Sequence, residues 1–187
     1  MKQEERIQQT KRAFRTALLH TLREKPIHKI SVRDLTDETG LNRSTFYLHY
    51  HDIYELKDDL EQSIVTDLTE RIGRHPSEEQ RKSLVPLLRD IFDYADRNRE
   101  DLLALSRTDL YQKLVDEICS EARAIFFSVW ETVLPGANRE KFDLYFHFVT
   151  SGLLAVIFYW IRGGSETLDE IAESAEQLIR FGEEFLY

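Results

Sequence analysis

The chain has 187 residues, of which 42% are hydrophobic and 32% charged, and it contains 7 glycines, 4 prolines and one cysteine. A chain of this size forms one or two domains and folds without disulfides or a metal, and the single cysteine, Cys119, excludes an intrachain disulfide. The scarcity of Gly and Pro favours helices over sheets, and the polar N-terminus lacks the apolar run of a signal peptide, which predicts a cytoplasmic protein.

The charge is distributed unevenly along the chain. Residues 1–50 carry 10 Lys/Arg and 6 Asp/Glu, a net charge of +4. Residues 51–187 carry 15 Lys/Arg and 28 Asp/Glu, a net charge of −13. Local positive charge on an acidic chain predicts that only the N-terminal part contacts a polyanion.

The N-terminal segment contains clear start and stop signals for helices. A first amphipathic helix is predicted from apolar residues at helical spacing, Ile7, Phe14, Leu18 and Leu22. Pro26 ends this helix, because the residue before a proline is disfavoured in the helical conformation. The sequence SVRD at Ser31–Asp34 is a capping box. It predicts a short second helix that stops at Gly40, a residue suited to a left-handed C-terminal position.

Two more helices are predicted after Gly40. Asn42 can cap the first of them. The sequence DIYE at Asp52–Glu55 is a second capping box, and it begins a longer helix that reaches about Gly73. A helix, a tight turn containing glycine and a second helix form the helix-turn-helix arrangement. In DNA-binding proteins the second helix of this motif lies in the major groove.

The segment NRSTFYLHY predicts a helix with one buried face and one reactive face. At about 100° per residue, Phe46 and Tyr50 share a face and pack inward with Leu35 and Leu41. Six side chains lie around the remaining surface: Arg43, Ser44, Thr45, Tyr47, Leu48 and His49.

These side chains have the chemistry that a duplex requires. Arg43 has the planar fork that pairs with guanine O6 and N7, and Leu48 can contact a thymine methyl. Ser44, Thr45 and the Tyr47 hydroxyl can donate to phosphates or bases. Arg33, in the preceding helix, is placed to reach the DNA backbone.

The same segment is compatible with functions other than DNA binding. The polar face can be merely solvated, and the aromatic residues can all belong to a core, which we expect for Phe46 and Tyr50 but not for Tyr47. His49 and His51 suggest half of a metal site. However, residues i and i+2 of a helix diverge by about 200°, whereas helical metal ligands favour i and i+4 spacing. No metal site is predicted.

The polar segment GRHPSEEQRKS is predicted to be a linker. It separates a helix-turn-helix domain at 1–60, whose connecting helix continues to about residue 73, from a C-terminal helical domain at 74–187. Five helices are predicted in this second domain: Leu84–Asn98, Arg99–Arg107, Asp109–Leu134, Glu140–Arg162 and Leu168–Tyr187. The sequence TLDE at Thr167–Glu170 caps the last one. No strand-like alternation occurs, so the predicted fold class is all-α, with about nine helices.

The segment 30–56, ISVRDLTDETGLNRSTFYLHYHDIYEL, resembles the DNA-binding domain of the TetR family of bacterial repressors. The resemblance extends over roughly residues 8–60 and is closest to the branch that includes dihydroxyacetone-kinase-operon regulators. It implies base contacts from Arg43, Ser44 and Thr45, and phosphate contacts from Thr45, Tyr47, His49 and Arg33. Asn42 and Leu48 complete the predicted DNA-binding set.

One position departs from the family pattern. Many members have a lysine near the start of the long helix as a phosphate contact, and this chain has Ile53 there. With one fewer phosphate neutralised, the dependence of binding on salt should be shallower by about one unit of slope.

The segment FVTSGLLAVIFYWIRGGSETLDEIAE resembles the penultimate helix and acidic loop of the same branch. The resemblance implies a homodimer on a palindromic operator, with the last two helices in the interface, where Ser151, Ala155, Phe158, Leu178 and Phe181 are predicted. It also implies a pocket for a small-molecule effector between about Leu84 and Leu134. The aromatic candidates for its lining are Phe92, Tyr94, Tyr111, Phe126, Phe127, Trp130 and Phe158, although helical aromatics are often plain core.

The function predicted on this basis is a dimeric DNA-binding transcriptional regulator, a repressor relieved by a small molecule. No catalytic motif or Gly-rich phosphate loop occurs, so neither an enzyme nor a cofactor is predicted.

Cys119 is interpreted as a buried structural thiol, with a redox sensor as the alternative. A second hypothesis keeps the fold but makes the chain a co-regulator that binds a protein partner. A third, a small helical enzyme or a membrane protein, depends on the uncharged run Leu144–Ile161, whose 18 residues just reach the length of a membrane span.

Overall fold

The computed structural model describes residues 2–75, 77–106 and 110–187, without the side chains of Lys2, Ser77, Leu110, Trp130 and Glu131. The described residues form α-helices and short 3-10 helices and contain no strand. The predicted all-α class is therefore confirmed.

The N-terminal helices follow the signals in the sequence. They are α1 (Lys2–Glu24), α2 (Val32–Thr39), α3 (Arg43–Tyr47) and α4 (Ile53–Gly73), with a 3-10 turn at Ile27–Lys29. Helix α1 ends two residues before Pro26, and α2 begins at the predicted capping box. The end of α4 at Gly73 is also as predicted.

The remaining helices are α5 (Ser77–Lys82), α6 (Val85–Arg97), α7 (Arg99–Leu105), α8 (Leu110–Ser128), α9 (Trp130–Val133), α10 (Phe142–Ile161) and α11 (Leu168–Glu183). Two further 3-10 helices lie at Arg139–Lys141 and Glu184–Leu186. The reciprocal capping box of Thr167 and Glu170 forms as predicted. The predicted helix ends at Arg107 and Asp109 lie outside the described residues.

The segment predicted as a linker contains helix α5, so the linker prediction was wrong for Ser77–Lys82. Glu, Gln, Arg and Lys favour helix, and tertiary contacts satisfy its end. Gln80 is buried and donates Nε2 to the His75 carbonyl at 2.8 Å. Arg180 donates Nη2 to the carbonyls of Gln80 and Arg81 at 3.1 and 3.3 Å, which would otherwise lack partners at the helix C-terminus.

The long helix predicted from residue 109 to 134 is interrupted after Ser128. The Ser128 hydroxyl donates to the Ile125 carbonyl at 2.6 Å, and the Val129 amide donates to Phe126, three residues back. A side-chain hydroxyl that binds the backbone competes with the helical ladder. The interruption therefore produces the two helices α8 and α9 in place of one.

The chain groups into two compact units. The first comprises Met1–Thr66 and Glu100–Leu114, and the second comprises Asp67–Arg99 and Val115–Tyr187. Segment 100–114 joins the first unit through ion pairs of Arg23 with Glu100 and Asp101 and of Lys113 with Glu61 at 3.2 Å. The predicted division into 1–60 and 74–187 does not include this return of the chain, because it depends on contacts between distant residues.

The second unit has an apolar core at the junction of α6, α8, α10 and α11. Its buried members include Leu87, Ala122, Phe142, Phe146 and Leu186. Helix α10 has almost no hydrophilic face, and it is buried along one side only. This arrangement leaves a cavity inside the unit and an uncovered apolar face outside it.

Candidate nucleic-acid interface and effector cavity

Helices α2 and α3 are joined by a tight turn at Gly40. Ser31 begins α2, where its side chain accepts from the Asp34 amide and the Asp34 carboxylate accepts from the Ser31 amide. Gly40 ends the helix with φ of 69° and donates its amide to the Thr36 carbonyl at 2.9 Å. A left-handed φ favours glycine, so this residue fixes where the chain turns into α3.

The inward face of α3 is held by aromatic contacts. Phe46 is fully buried, and Tyr50, just beyond the helix, is 2% exposed. The Phe46 ring packs edge-on against Phe14 of α1, with centroids 5.3 Å apart. The prediction that Phe46 and Tyr50 point inward is confirmed, because both side chains complete the core between α1 and α4.

Tyr50 also connects α3 to charged groups on two other helices. Its hydroxyl donates to Asp59 of α4 at 2.9 Å. Asp59 also pairs with Lys11 at 3.1 Å and Arg15 at 3.5 Å, both on α1. Burial raises the pKa of the Tyr50 hydroxyl, and the Asp59 hydrogen bond adds to this rise. The phenol therefore stays neutral and acts as a donor that positions α3 against α1 and α4.

The outward face of α3 carries the residues predicted to contact DNA. Arg43, Ser44, Tyr47 and Leu48 are exposed, Tyr47 by 58% and Leu48 by 80%. Thr45 and His49 are half-buried, and Asn42 and Arg33 are exposed. Tyr47 and Leu48 are therefore large side chains that the chain itself leaves uncovered beside Arg43.

Two positions beside α3 differ from the simplest expectation. Asn42 occupies the N-cap position, but its side chain makes no capping hydrogen bond, so the cap prediction was wrong. Arg33 pairs with Asp37, one turn away on α2, at 3.4 Å. Both partners are largely exposed, and such pairs contribute little free energy, so the guanidinium is available to another anion.

The start of α4 is occupied by the chain's own groups. Asp52 accepts from the amides of Tyr54 and Glu55 at 2.8 and 2.9 Å. The Glu55 carboxylate accepts from the His51 amide at 2.6 Å, one residue earlier than in the predicted box. Ile53, at the position of the usual lysine, is 8% exposed and packs inward.

His49 and His51 do not form part of a metal cluster in the structure. Within residues 2–75, 77–106 and 110–187, no group of three or more His, Cys, Asp or Glu is arranged to hold a metal ion. His49 instead lies beside the Tyr50 ring, with centroids 6.3 Å apart.

The second unit contains a cavity of about 200 Å³. Its walls come from the end of α4 and from α6, α8, α9, α10 and α11. Most of the lining is aliphatic and includes Ile72, Leu88, Ile118, Val149 and Leu153. A concave, mainly apolar space is the usual form of a small-molecule site.

Most of the aromatic residues predicted to line a pocket lie elsewhere. Among them, only Phe126 lines this cavity, and the Trp130 side chain lies outside the described residues. Phe92 packs on Trp160, Tyr94 lies under Arg71, and Phe127 packs on Phe142. Phe158 lies against Arg162, and Tyr111 belongs to the first unit. The cavity has other aromatic members that were not predicted, Phe142, Tyr145 and Phe146 of α10.

The cavity also has a few polar members, and none of them was among the residues predicted from the sequence to contact a ligand. Glu183 of α11 and Thr150 of α10 line it, together with Cys119 of α8. Glu183 follows the half-buried Ile179 by four residues, so an acidic residue on the inward face of an amphipathic helix was a usable signal. Cys119 is half-buried, and burial raises the pKa of its thiol while Thr150 opposes the rise.

Helices α10 and α11 present an uncovered apolar face. The exposed large side chains are Leu144, Phe148 and Tyr159 on α10, with Leu178 and Phe181 on α11. Ser151 and Ala155 are exposed between them. Phe158, also predicted for an interface, is 9% exposed and belongs to the core of the unit. Large exposed apolar patches are rare on monomers and mark interaction sites.

One helical stretch in the described part of the chain, Arg139–Ile161, has the length and apolar character of a membrane span. This criterion uses length and composition only, and 33% of the apolar window is buried inside the unit. Core helices of globular proteins meet the same criterion.

Comparison with known families gives a direct match. Residues 82–181 match the TetR family model described as "Transcriptional regulator C-terminal region". No curated protein matches the chain significantly in sequence.

Solved structures with the same fold cover nearly the whole chain. The dihydroxyacetone kinase operon activator DhaS has 16% identity and a TM-score of 0.65, over 95% of this chain and 97% of DhaS. A TetR transcriptional regulator from Streptococcus agalactiae 2603V has 20% identity and a TM-score of 0.62, over 96% and 98% of the two chains. A TetR-like regulator from Rhodococcus sp. RHA1 has 19% identity and a TM-score of 0.69, over 92% and 94%. At these identities the likeness establishes the fold.

Proposed function

Because this chain belongs to the TetR family of transcriptional regulators, which are not enzymes, we propose that it is a homodimeric, ligand-responsive repressor that binds a palindromic operator. A cytoplasmic location follows from that role. The observation that carries the proposal is the division of α3 into a buried aromatic face and an exposed face with Arg43, Tyr47 and Leu48.

The roles of the exposed residues follow from their chemistry. Arg43 lies in the first turn of α3, where a guanidinium reaches guanine O6 and N7 in the major groove. The Tyr47 ring packs edge-on against Phe46, with centroids 5.5 Å apart, and the side chain is 58% exposed. Tyr47 and Thr45 then donate to phosphates, as does His49. The free amide of Asn42 and the guanidinium of Arg33 flank the same helix.

A gel-shift titration against the palindrome upstream of the chain's own gene tests this proposal. Arg43→Ala should weaken specific binding by about 1–3 kcal/mol and relax base preference at one position. Tyr47→Phe should weaken binding to all sequences alike, because it removes a phosphate contact. The control is Lys82→Ala, which removes an exposed cation of the other unit. A specific shift that both α3 variants leave unchanged contradicts the proposal.

The salt dependence of binding tests the role of Ile53. The Ile53 side chain is buried and apolar, so it provides no group that could contact a phosphate. In Ile53→Lys the stem of the lysine can lie along the apolar surface while its ammonium reaches solvent, so the slope of log affinity against log salt should steepen by about one. An unchanged slope would mean that this position does not face the duplex.

A second candidate is supported by the start of α4. Its amides are satisfied by Asp52, and a helix N-terminus that is already capped offers less to a phosphate. The chain would then act as a co-regulator through a protein partner. Co-purification of a stoichiometric partner, with DNA affinity no better than nonspecific, favours this function over operator binding.

The homodimer is proposed from the uncovered apolar face of α10 and α11. A two-fold interface places the same face of each subunit against the other. Ser151 and Ala155 are small, so the two α10 helices can approach closely there. Phe148 and Phe181 supply large apolar side chains at 67% and 80% exposure. A dimer also matches the two half-sites of a palindrome.

The cavity is proposed as the effector site, and ligand binding as the signal that releases the operator. The test is transcription from the operator-bearing promoter with purified protein. Repression that a cavity ligand relieves is the expected result. Stimulation of transcription by the protein would identify an activator and contradict the repressor role.

A further inference from the structure

The lining of the cavity is almost entirely hydrocarbon. Val, Leu, Ile, Ala and Phe side chains from α4, α6, α8, α10 and α11 form its walls. Such a surface binds a ligand by excluding water and offers few partners to a polar one. The ligand must therefore be mainly apolar.

The cavity volume limits the size of that ligand. An apolar protein cavity of about 150 Å³ binds benzene. At about 200 Å³, this cavity has room for a molecule roughly one-third larger. The volume therefore matches a single substituted ring.

Glu183 is the charged side chain in the described lining. Its carboxylate accepts from Arg180 Nη1 at 3.1 and 3.4 Å. Burial raises its pKa, Arg180 opposes this rise, and Glu176 adds to it. An ionised carboxylate has about four acceptor positions, so the one nitrogen of Arg180 leaves acceptor capacity for a donor inside the cavity.

The two hydroxyl groups of the lining already donate to backbone carbonyls. The Thr150 hydroxyl donates to the Phe146 carbonyl at 2.8 Å, and the Tyr145 hydroxyl donates to Ile179 at 3.1 Å. Glu183 is therefore the group with the strongest remaining demand for a hydrogen bond. A donor on the ligand would satisfy it, whereas a ligand carboxylate would be repelled in a medium of low dielectric constant.

We infer that the cavity binds a small, single-ring, mainly hydrocarbon molecule that presents one neutral hydrogen-bond donor to Glu183, and that it rejects carboxylates. This inference rests on the proposed effector site and specifies its ligand class. The donor fixes the orientation of the ligand, and the aliphatic walls supply most of the binding free energy.

The test uses three probes of similar size on the full chain: benzyl alcohol, toluene and benzoate. Cys119, the single thiol, lines the cavity, so its rate of reaction with a thiol reagent reports occupancy without DNA. Isothermal titration gives the affinities. Benzyl alcohol should bind roughly tenfold more tightly than toluene, because a hydrogen bond to a charged acceptor contributes more than a neutral one. Benzoate should leave the labelling rate unchanged.

Two pairs of variants locate the binding. Glu183→Leu should abolish the preference for benzyl alcohol over toluene, and Glu184→Leu, at an exposed neighbouring position, should retain it. Ala122→Leu fills the cavity from α8 and should weaken both probes at least tenfold. Ala124→Leu, on the exposed side of the same helix, should not. The ratio of the two affinities is internal to each variant, so a general loss of stability does not mimic the result.

The outcomes separate the two proposals. Benzoate protection of Cys119, or an unchanged alcohol-to-toluene ratio in Glu183→Leu, overturns the assignment of Glu183. Normal binding by Ala122→Leu overturns the site. If operator binding is specific and no probe binds, the ligand class is wrong and the regulator stands. If the probes bind as expected and no operator is found, the site stands and the regulator does not.

Discussion

Phe181 should determine whether the protein is a dimer. This side chain lies on α11 beside Leu178 and is 80% exposed in the single chain. In the proposed two-fold dimer it is covered by the partner. Phe181→Ser removes the ring without altering the buried face of α11, whose buried members are Ile171, Ala172 and Ala175.

The size of the effect follows from the exposed area. A phenylalanine buries roughly 150–250 Å². With 80% of it still exposed, roughly 160 Å² remains to be covered. At about 25 cal/mol per Å², full burial stabilises by roughly 4 kcal/mol, whereas central interface truncations cost at least about 2 kcal/mol. Each two-fold interface contains the residue twice, so dimerisation should weaken by about 4–8 kcal/mol, which is roughly a thousandfold or more in Kd.

Sedimentation velocity over a dilution series measures this Kd. The matched control is Glu173→Ser, at an exposed position of the same helix about 80° away from Phe181 around the axis. Unfolding of both variants in urea shows whether each subunit remains folded. A Kd for Phe181→Ser within threefold of the unmodified protein would refute the α10 and α11 interface.

Three further predictions concern the first unit. Gly40→Ala should destabilise it by about 1–2 kcal/mol, because φ is 69°, whereas Gly73→Ala, at a glycine without positive φ, should be neutral or stabilising in the same urea titration. Phe46→Ala should cost about 3–5 kcal/mol in the free energy of unfolding, because the ring is fully buried; a cost below 1 kcal/mol would contradict its core role. The Lys25 ammonium lies 2.8 Å from the Asp34 carboxylate. This contact and the hydrogen bonds from Ser31 hold the pKa of the Asp34 carboxyl well below its ordinary value. A lowered pKa stabilises the fold above about pH 4, and that contribution is lost as pH falls. Urea midpoints at pH 7 and pH 3 should therefore differ less for Asp34→Asn than for the unmodified chain.

The sequence by itself determined the local features of the protein. The capping boxes at Ser31 and Thr167 and the stop at Gly40 depend on interactions within one helical turn, and the shared face of Phe46 and Tyr50 follows from helical spacing. Capping sequences and hydrophobic periodicity are visible in the sequence, so they predict such features directly. The all-α class followed from the same signals, because no segment had strand periodicity.

Tertiary structure alone decided the features that join distant residues. The C-terminal carbonyls of helix α5 accept hydrogen bonds from Arg180, about a hundred positions later. Segment 100–114 belongs to the first unit through its ion pairs with Glu61 and Arg23. The lining of the cavity depends on which side of each helix faces its neighbours. Most of the predicted aromatic residues therefore lie elsewhere, and the lining is mainly aliphatic, with Phe126 and three aromatic residues of α10 that were not predicted. Glu183 acquires its role only when α11 packs inward and burial raises its pKa, since the free energy of a charged group depends on the surroundings that the fold provides.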